Sequence, residues 1–285
     1  MSTVYLNGNY LPMTEAHISP MDRGFLFGDG IYEVVPSYDG VLVGFAPHLA
    51  RMQNGLDALE IPLHLDTEQW REIAAQLIAR NGGGNLGLYF HVSRGADTKR
   101  SHAYPDGITP TVFAFAYEIS AAPVPDKRAV TPFTVGTAED LRWQRCNIKS
   151  TSLLGNVMHY QQGHVDGQDE TILYNSLGEI TEAASCNVFI VKNGVVATPL
   201  LDNHKLPGIT RSMLLAILRD DGSIPVEERV VTLDELRAAD EVWLSSSSRD
   251  IAPVVTVDGR PVGDGNIGDV WLAAQTLYSA HKFDF

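Results

Sequence analysis

Ser120-Ala-Ala-Pro-Val-Pro-Asp-Lys127 divides the chain. It holds two prolines and no hydrophobic period, so it reads as an interdomain linker, and the residues on either side follow different plans. Upstream, Val4-Tyr5-Leu6 and Tyr10-Leu11-Pro12 flank Asn7-Gly8-Asn9, a tight hairpin turn in which glycine supplies positive φ. A second hairpin runs Tyr32-Glu33-Val34-Val35, turns at Asp39-Gly40 and returns through Val41-Leu42-Val43. From Pro47 the period changes: Leu49, Met52, Leu56 and Leu59 recur at helical spacing. A second helix is predicted over Thr67–Arg80, where Asp66 and Gln69 suit a capping box, Trp70, Ile73, Leu77 and Ile78 make the apolar stripe, and Asn81-Gly82 stop it. Strands Leu86–Ser93 and 111–117 complete a ββ…αα…ββ plan, an α+β domain.

Downstream the pattern is richer in strands. Strands are predicted near 130–135, over Glu170–Tyr174 and 187–191, and at 241–244 and 254–257. Helices are predicted near 152–165, 210–219 and 269–282. The strict strand–helix alternation of a Rossmann sheet is absent, as is any G-x-G-x-x-G after a strand. The expectation is therefore an α+β fold in two domains: a smaller N-terminal α+β domain over 1–120, and a larger β-rich domain with helices over 121–285.

Composition narrows the function classes. The 285 residues suit two domains, and 44% apolar with 20% charged residues suits a globular enzyme rather than a disordered chain. A formal charge of −14 opposes nucleic-acid binding, which needs a cationic face. No apolar run approaches the roughly 18 residues of a membrane span, and Met1-Ser-Thr-Val-Tyr5 lacks the basic start of a secretory signal. A cytoplasmic protein with neither nucleic-acid nor membrane partners is expected. The two cysteines, Cys146 and Cys186, make neither a disulfide framework nor a four-ligand zinc site, and the nine histidines show no metal-binding spacing, so no metal is expected.

Several residues could carry chemistry. Lys149, in Arg145-Cys-Asn-Ile-Lys-Ser-Thr-Ser-Leu-Leu-Gly155, sits between a strand-like run and a helix with Arg145 nearby. Partly desolvated beside a cation, such a lysine becomes a nucleophile or Schiff-base former; on its own, the setting favours an exposed surface lysine. Glu182, in Glu179-Ile-Thr-Glu-Ala-Ala-Ser-Cys-Asn-Val-Phe-Ile190, is an acid among small residues before a strand. It could keep a pyridine nitrogen protonated, or serve only as a cap or turn residue. Leu206-Pro-Gly-Ile-Thr-Arg211 is a glycine loop opening a helix, whose free N–H groups with Thr210 could cradle an anion. Ser245-Ser-Ser-Ser248 offers hydroxyls after a strand, and Arg51 a positive charge; each is weak alone. Finally, Arg94, Lys99, Arg100, His102 and Tyr104 cluster in an otherwise acidic chain. Arg100 and His102 alternate, so an extended backbone points them to one side, and an arginine fork with an imidazole suits a carboxylate. No G-x-S-x-G elbow supports a serine hydrolase.

Together these segments resemble the fold-type IV (class IV) pyridoxal-phosphate-dependent aminotransferase family. The likeness covers nearly the whole chain. It is carried by Asp22-Arg-Gly-Phe-Leu-Phe-Gly-Asp-Gly-Ile-Tyr-Glu-Val-Val35, His48-Leu-Ala-Arg51, Asn147-Ile-Lys-Ser-Thr-Ser-Leu-Leu-Gly155, Ile180-Thr-Glu-Ala-Ala-Ser-Cys-Asn-Val-Phe189 and Leu206-Pro-Gly-Ile-Thr-Arg211. The resemblance implies pyridoxal 5'-phosphate as cofactor, with Lys149 as the catalytic Schiff-base lysine and proton carrier and Glu182 paired with the pyridinium nitrogen. It implies a phosphate held by Arg51, Ile209, Thr210, Ser246 and Ser247, with Leu206 against the ring and Tyr32 beside the substrate. Within the family, Arg100-Ser-His102 resembles the carboxylate trap of D-amino acid transaminases, supplied by the neighbouring subunit of a homodimer; branched-chain enzymes lack the pair. The expected substrates are thus an amino donor, a D-amino acid such as D-alanine or D-glutamate, and a 2-oxo acid acceptor such as 2-oxoglutarate. Branched-chain L-amino acid or (R)-amine transamination, and aminodeoxychorismate lyase action, are the alternatives on the same fold. Cys186 stands where that family usually has serine.

Overall fold

A computed structural model describes residues 2–285. The chain forms two compact units. The first comprises the residues through Ala122 together with Ile148–Leu153 and Phe285; the second comprises Pro123–Asn147 and Leu154–Asp284.

In the first unit the elements are β1 (Thr3–Leu6), β2 (Asn9–Pro12), α1 (Arg23–Phe27), β3 (Gly30–Tyr38), β4 (Val41–Leu42), α2 (Phe45–Ala58), α3 (Thr67–Arg80), β5 (Leu86–Ser93) and β6 (Thr111–Glu118). The strands make one sheet in the order β2-β1-β6-β5-β3-β4, antiparallel throughout. Its tight turns lie where glycine follows a residue that tolerates the left-handed region: Asn7-Gly8 and Asp39-Gly40 all have positive φ. The capping box at the start of α3 is formed in both directions by Asp66 and Gln69.

The period of two along the strands gives this sheet two different faces. Leu88, Phe90 and Val92 of β5 and Ile31 and Val35 of β3 pack with Met52 and Leu56 of α2 and Trp70, Ile73, Ala74 and Leu77 of α3. Each such side chain contributes roughly 1.5–3 kcal/mol by leaving water. The alternate positions build an aromatic face. Tyr32 stacks on Tyr89 at 5.5 Å, Tyr89 lies 5.0 Å from Phe115, and its hydroxyl meets His91 Nδ1 at 3.1 Å.

The second unit contains β7 (Phe133–Glu139), α4 (Leu154–Val165), β8 (Glu170–Tyr174), β9 (Ile180–Ala183), β10 (Asn187–Lys192), β11 (Val195–Pro199), α5 (Ile209–Asp221), β12 (Val226–Arg229), α6 (Leu233–Arg237), β13 (Glu241–Ser246), β14 (Asp250–Val257), β15 (Arg260–Pro261) and α7 (Asp269–His281). Its sheet runs β12-β11-β10-β13-β14-β7-β8-β9, with β15 paired to β14. The β11/β12, β14/β7 and β7/β8 pairs are parallel and the rest antiparallel. Val135, Ile172, Val188, Ile190, Val242, Leu244 and Val254 form one apolar layer with Leu236 of α6. Glu241 ties α7 to the sheet, accepting from the backbone N–H of Val270 and Trp271 and from Trp243 Nε1 at 2.8–3.0 Å. It takes the place of the side-chain cap that Gly268 cannot provide.

The sequence suggests a single boundary near residue 121, whereas the chain changes unit at Ala122–Pro123, returns for Ile148–Leu153, and leaves again at Leu154. The return has a packing cause. Ile148 joins the apolar core of the first unit, Tyr32 N donates to Lys149 O at 3.0 Å, and Thr151 N donates to Gly30 O at 2.9 Å. Gly28, at φ +64°, lets this segment come close, since a Cβ there would lie 2.5 Å from Ser152 Oγ. Among the described residues no helix is long and apolar enough to cross a membrane.

Candidate active site

Lys149, Tyr32, Arg51, Arg100 and His102 belong to the first unit; Glu182, Leu206, Ile209, Thr210, Ser246 and Ser247 belong to the second.

Lys149 lies over the aromatic face, its Nζ 4.3 Å from the centroid of the Tyr32 ring. Pinning its backbone to β3 leaves the long side chain as the mobile part. Tyr89 and His91 of the same face carry little charge near neutral pH. Burial pushes the Tyr89 phenol up to about 12 and the His91 imidazole below its ordinary value. Arg145, expected as the neighbouring cation of Lys149, is exposed and belongs to the second unit.

On the helix-facing side of β3, Glu33 is fully buried and accepts from Arg51 Nε and Nη2, each at 2.7 Å, in a two-pronged pair. His48 Nδ1 meets the same carboxylate at 2.7 Å. Burial raises the Glu33 carboxyl, but the Arg51 guanidinium outweighs it and brings the group down to about 2. An ionised Glu33 can only accept, so His48 Nδ1 carries the proton. Burial also lowers the His48 imidazole in spite of Glu33. Arg51 is thereby a fixed cation on a helix rather than a mobile surface charge.

Arg100 and His102 are exposed and lie on a segment that is neither helix nor strand. They still converge, as their alternation suggests: Arg100 Cζ is 5.0 Å from the centroid of Phe27, and the His102 ring is 5.4 Å from it.

In the second unit, Glu182 is the hub. Its Oε1 accepts from Arg142 Nη1 at 2.6 Å; its Oε2 accepts from Leu206 N at 2.9 Å and Asn187 Nδ2 at 3.2 Å. Asn187 also donates to Leu206 O at 2.9 Å, so one amide fixes both the carboxylate and the loop beside it. Asp140 holds the far side of the Arg142 fork through Nε and Nη2. Burial pushes the Glu182 carboxyl up, with Arg142 pulling against it. Three donors against the roughly four acceptor positions of a carboxylate leave room for one more, and a cationic donor there would relieve the cost of burial. Gly208 caps α5 without a side chain, and a Cβ at that position would collide with Asn187 Oδ1. The first turn of α5 therefore receives no side-chain cap, as an anion-binding helix start requires. Ile209 and the buried Thr210 open that turn. Ser246 ends β13 with Ser247 in the turn after it, and the Oγ of neighbouring Ser245 is buried without a hydrogen-bond partner among the described residues.

The Amino-transferase class IV family model matches residues 30–257, most of the chain and all of the second unit's catalytic candidates. The chain belongs to the class IV aminotransferases. It is 37% identical to a D-alanine aminotransferase of Staphylococcus haemolyticus, over 99% of this chain and 98% of that one. It is 36% identical to a D-alanine aminotransferase of Bacillus licheniformis, over 96% and 94%. Among solved structures, the branched-chain amino acid aminotransferase of Escherichia coli superposes with a TM-score of 0.90 at 24% identity, covering 98% of this chain and 94% of that one. The branched-chain amino acid aminotransferase of Thermobaculum terrenum, in its PLP form, gives 0.87 at 18% identity, with 99% and 94% coverage. Class IV aminotransferases depend on pyridoxal phosphate, and this chain is such an enzyme with the α+β fold of the family. Taken unit by unit, the residues fit the cofactor: the first holds a half-buried primary amine, and the second a buried carboxylate with one acceptor position left and an uncapped helix start that carries Thr210.

Sequence reading missed Arg142, Asn187 and Glu33 as partners. Arg142 pairs with a carboxylate 40 residues away, for which no local pattern exists. Glu33 was readable in part, because His48 and Arg51 are three apart on a helix and so face one way.

Proposed function

We propose that the enzyme moves an amino group between a D-amino acid, such as D-alanine or D-glutamate, and a 2-oxo acid, such as 2-oxoglutarate, in a ping-pong cycle. The observation that carries this reading is the near full-length likeness to D-alanine aminotransferases. Arg100 and His102, converging on Phe27, add the chemistry that an α-carboxylate needs.

In this reading Lys149 carries the cofactor and moves the proton at the substrate Cα, always on one face. Glu182 holds the proton at the cofactor's ring nitrogen, and Arg142 and Asp140 hold Glu182. Bound pyridoxal phosphate supplies the electron sink that makes the Cα proton acidic. Arg51, the N–H groups of Ile209 and Thr210, and the hydroxyls of Ser246 and Ser247 bind the phosphate. Leu206 covers the ring, and Tyr32 borders the substrate. Because Lys149 works on one face, the pockets that receive the carboxylate and the side chain decide which enantiomer reacts.

The unit of function is a homodimer in which Arg100 and His102 of one subunit serve the substrate of the other. On α4, Leu154, Val157, Met158 and Val165 make an exposed apolar stripe at helical spacing. A second copy is the partner such a face would bury.

The test is a half-reaction scan. Holoenzyme is mixed with D- and L-alanine, D- and L-glutamate, L-leucine and (R)-phenylethylamine, and the visible cofactor band is followed. D-Alanine and D-glutamate should bleach it, with 2-oxo acid released. Bleaching by L-leucine alone or by (R)-phenylethylamine alone overturns the D-amino acid reading, and no bleaching by any amine overturns transamination.

A further inference from the structure

We propose that Arg23 is a positioning residue that presents Arg100 and His102 to the substrate carboxylate. The inference rests on the carboxylate role given above to that pair. Residues 97–110, between β5 and β6, have no helix or strand of their own, so the carbonyls of this segment need partners from elsewhere. One buried side chain supplies them. Arg23, 3% exposed, donates from Nη1 to Ser101 O at 2.6 Å and to Ala103 O at 3.3 Å, and from Nη2 to His102 O at 3.3 Å. Only a planar fork with several donors spans three successive carbonyls.

The fork is itself held. Arg23 Nε donates to Asp29 Oδ2 at 2.8 Å, and Arg94 grips the same carboxylate from Nε at 2.8 Å and Nη2 at 3.1 Å. Arg94 is anchored in turn on Leu59 O and Glu60 O, and its guanidinium lies 3.5 Å from the centroid of Tyr104. Backbone and ring of residues 101–104 are thus gripped by two guanidinium groups sharing one carboxylate. Arg23 Cζ also stands 4.9 Å from the centroid of Phe27, the ring that Arg100 and His102 flank. Arg23 therefore sets both the backbone that carries the trap and one side of the platform it rests on.

Arg23→Lys isolates the positioning role. It keeps the charge opposite Asp29 but cannot reach three carbonyls. In the holoenzyme, the KM for D-alanine and for 2-oxoglutarate should rise about tenfold, with kcat within about threefold, because the trap is displaced while the chemistry is intact. Cofactor affinity should stay close to wild type, while Tm falls by the hydrogen bonds that the lysine cannot make. Arg23→Gln, which leaves Asp29 neutralised by Arg94, takes its place if the lysine variant is unstable. The same substitution placed in an Arg100→Ala/His102→Ala background should raise KM no further, since Arg23 then has nothing to present. Three outcomes overturn the proposal: a KM unchanged by Arg23→Lys while Arg100→Ala/His102→Ala raises it; a further tenfold loss in that background; or a fall in cofactor affinity equal to the change in KM. If Arg100→Ala/His102→Ala itself leaves KM unchanged, the carboxylate reading fails first and the role of Arg23 falls with it.

Discussion

Glu33→Gln keeps the shape of a fully buried side chain and removes its charge from between Arg51 and His48. The magnitude follows from the carboxyl's position. It is brought from an ordinary 4.5 down to about 2, a difference that corresponds to about 3 kcal/mol in favour of the charged form at neutral pH. Leaving the buried guanidinium without its carboxylate costs about 3–5 kcal/mol by the same order. At roughly 2–4 °C per kcal/mol, the apoenzyme variant should melt about 6–20 °C below wild type at pH 7. The sign with pH is fixed as well. A carboxyl whose folded value is depressed contributes fully above its unfolded value and loses that contribution as pH falls through the folded one. The gap between wild type and variant should therefore be constant above pH 4.5 and shrink on the way down towards pH 2. If Arg51 also binds the cofactor phosphate, that anion replaces part of the lost charge, and the gap at pH 7 should be smaller in holoenzyme than in apoenzyme. Differential scanning calorimetry of both proteins in both forms measures all of this. A gap under about 2 °C at pH 7 would refute the assignment of Glu33 as the partner that keeps Arg51 buried. An equal gap in apo and holo forms would remove Arg51 from the phosphate site.

Lys149→Ala should abolish the visible absorbance of lysine-bound cofactor and nearly all turnover, and borohydride reduction of wild type with peptide mapping should find the adduct on Lys149; an adduct elsewhere sinks the assignment. Glu182→Gln should slow the half-reaction about a hundredfold or more, where each factor of ten is about 1.4 kcal/mol; a rate near wild type refutes the ring-nitrogen role. Mixing inactive Lys149→Ala with inactive Arg100→Ala subunits should restore one working site per heterodimer. Silence after subunit exchange has been demonstrated by mass spectrometry would falsify the cross-subunit trap.

Much of the fold could be read locally. Asn7-Gly8 and Asp39-Gly40 turn where expected, and α3 occupies the range its capping box and stripe predicted. Elements were lost where tertiary pairing decides. β12 reads Val-Glu-Glu-Arg, without alternation; it is a strand because it pairs with β11 and because Glu228 meets Arg211 and Arg219. α1 is too short for a hydrophobic period and is made by its ends, the Asp22 cap and the left-handed Gly28. α6 carries a readable signal, the Thr232-x-x-Glu235 box. The strand expected from 130 starts at Phe133, because Pro132 has no N–H for the ladder. In the site, residue types were legible and partners were not. Lys149, Glu182 and Arg51 are singled out by the family resemblance and not by their own settings, whereas their partners, such as Arg142 and Glu33, are joined only by folding.

The return of Ile148–Leu153 to the first unit bears on how this protein can be recombined. A chimera cut at residue 121, the boundary that the proline-bearing linker suggests, would set one parent's β3 and Gly28 against the other parent's lysine-bearing segment. Tyr32, Gly28 and Gly30 would then meet a foreign backbone at the proposed Schiff-base lysine. Viable exchange needs crossovers that move 148–153 with the first unit. In inheritance, as in packing, the Lys149 amine travels with the N-terminal sheet rather than with the half of the chain that encodes it.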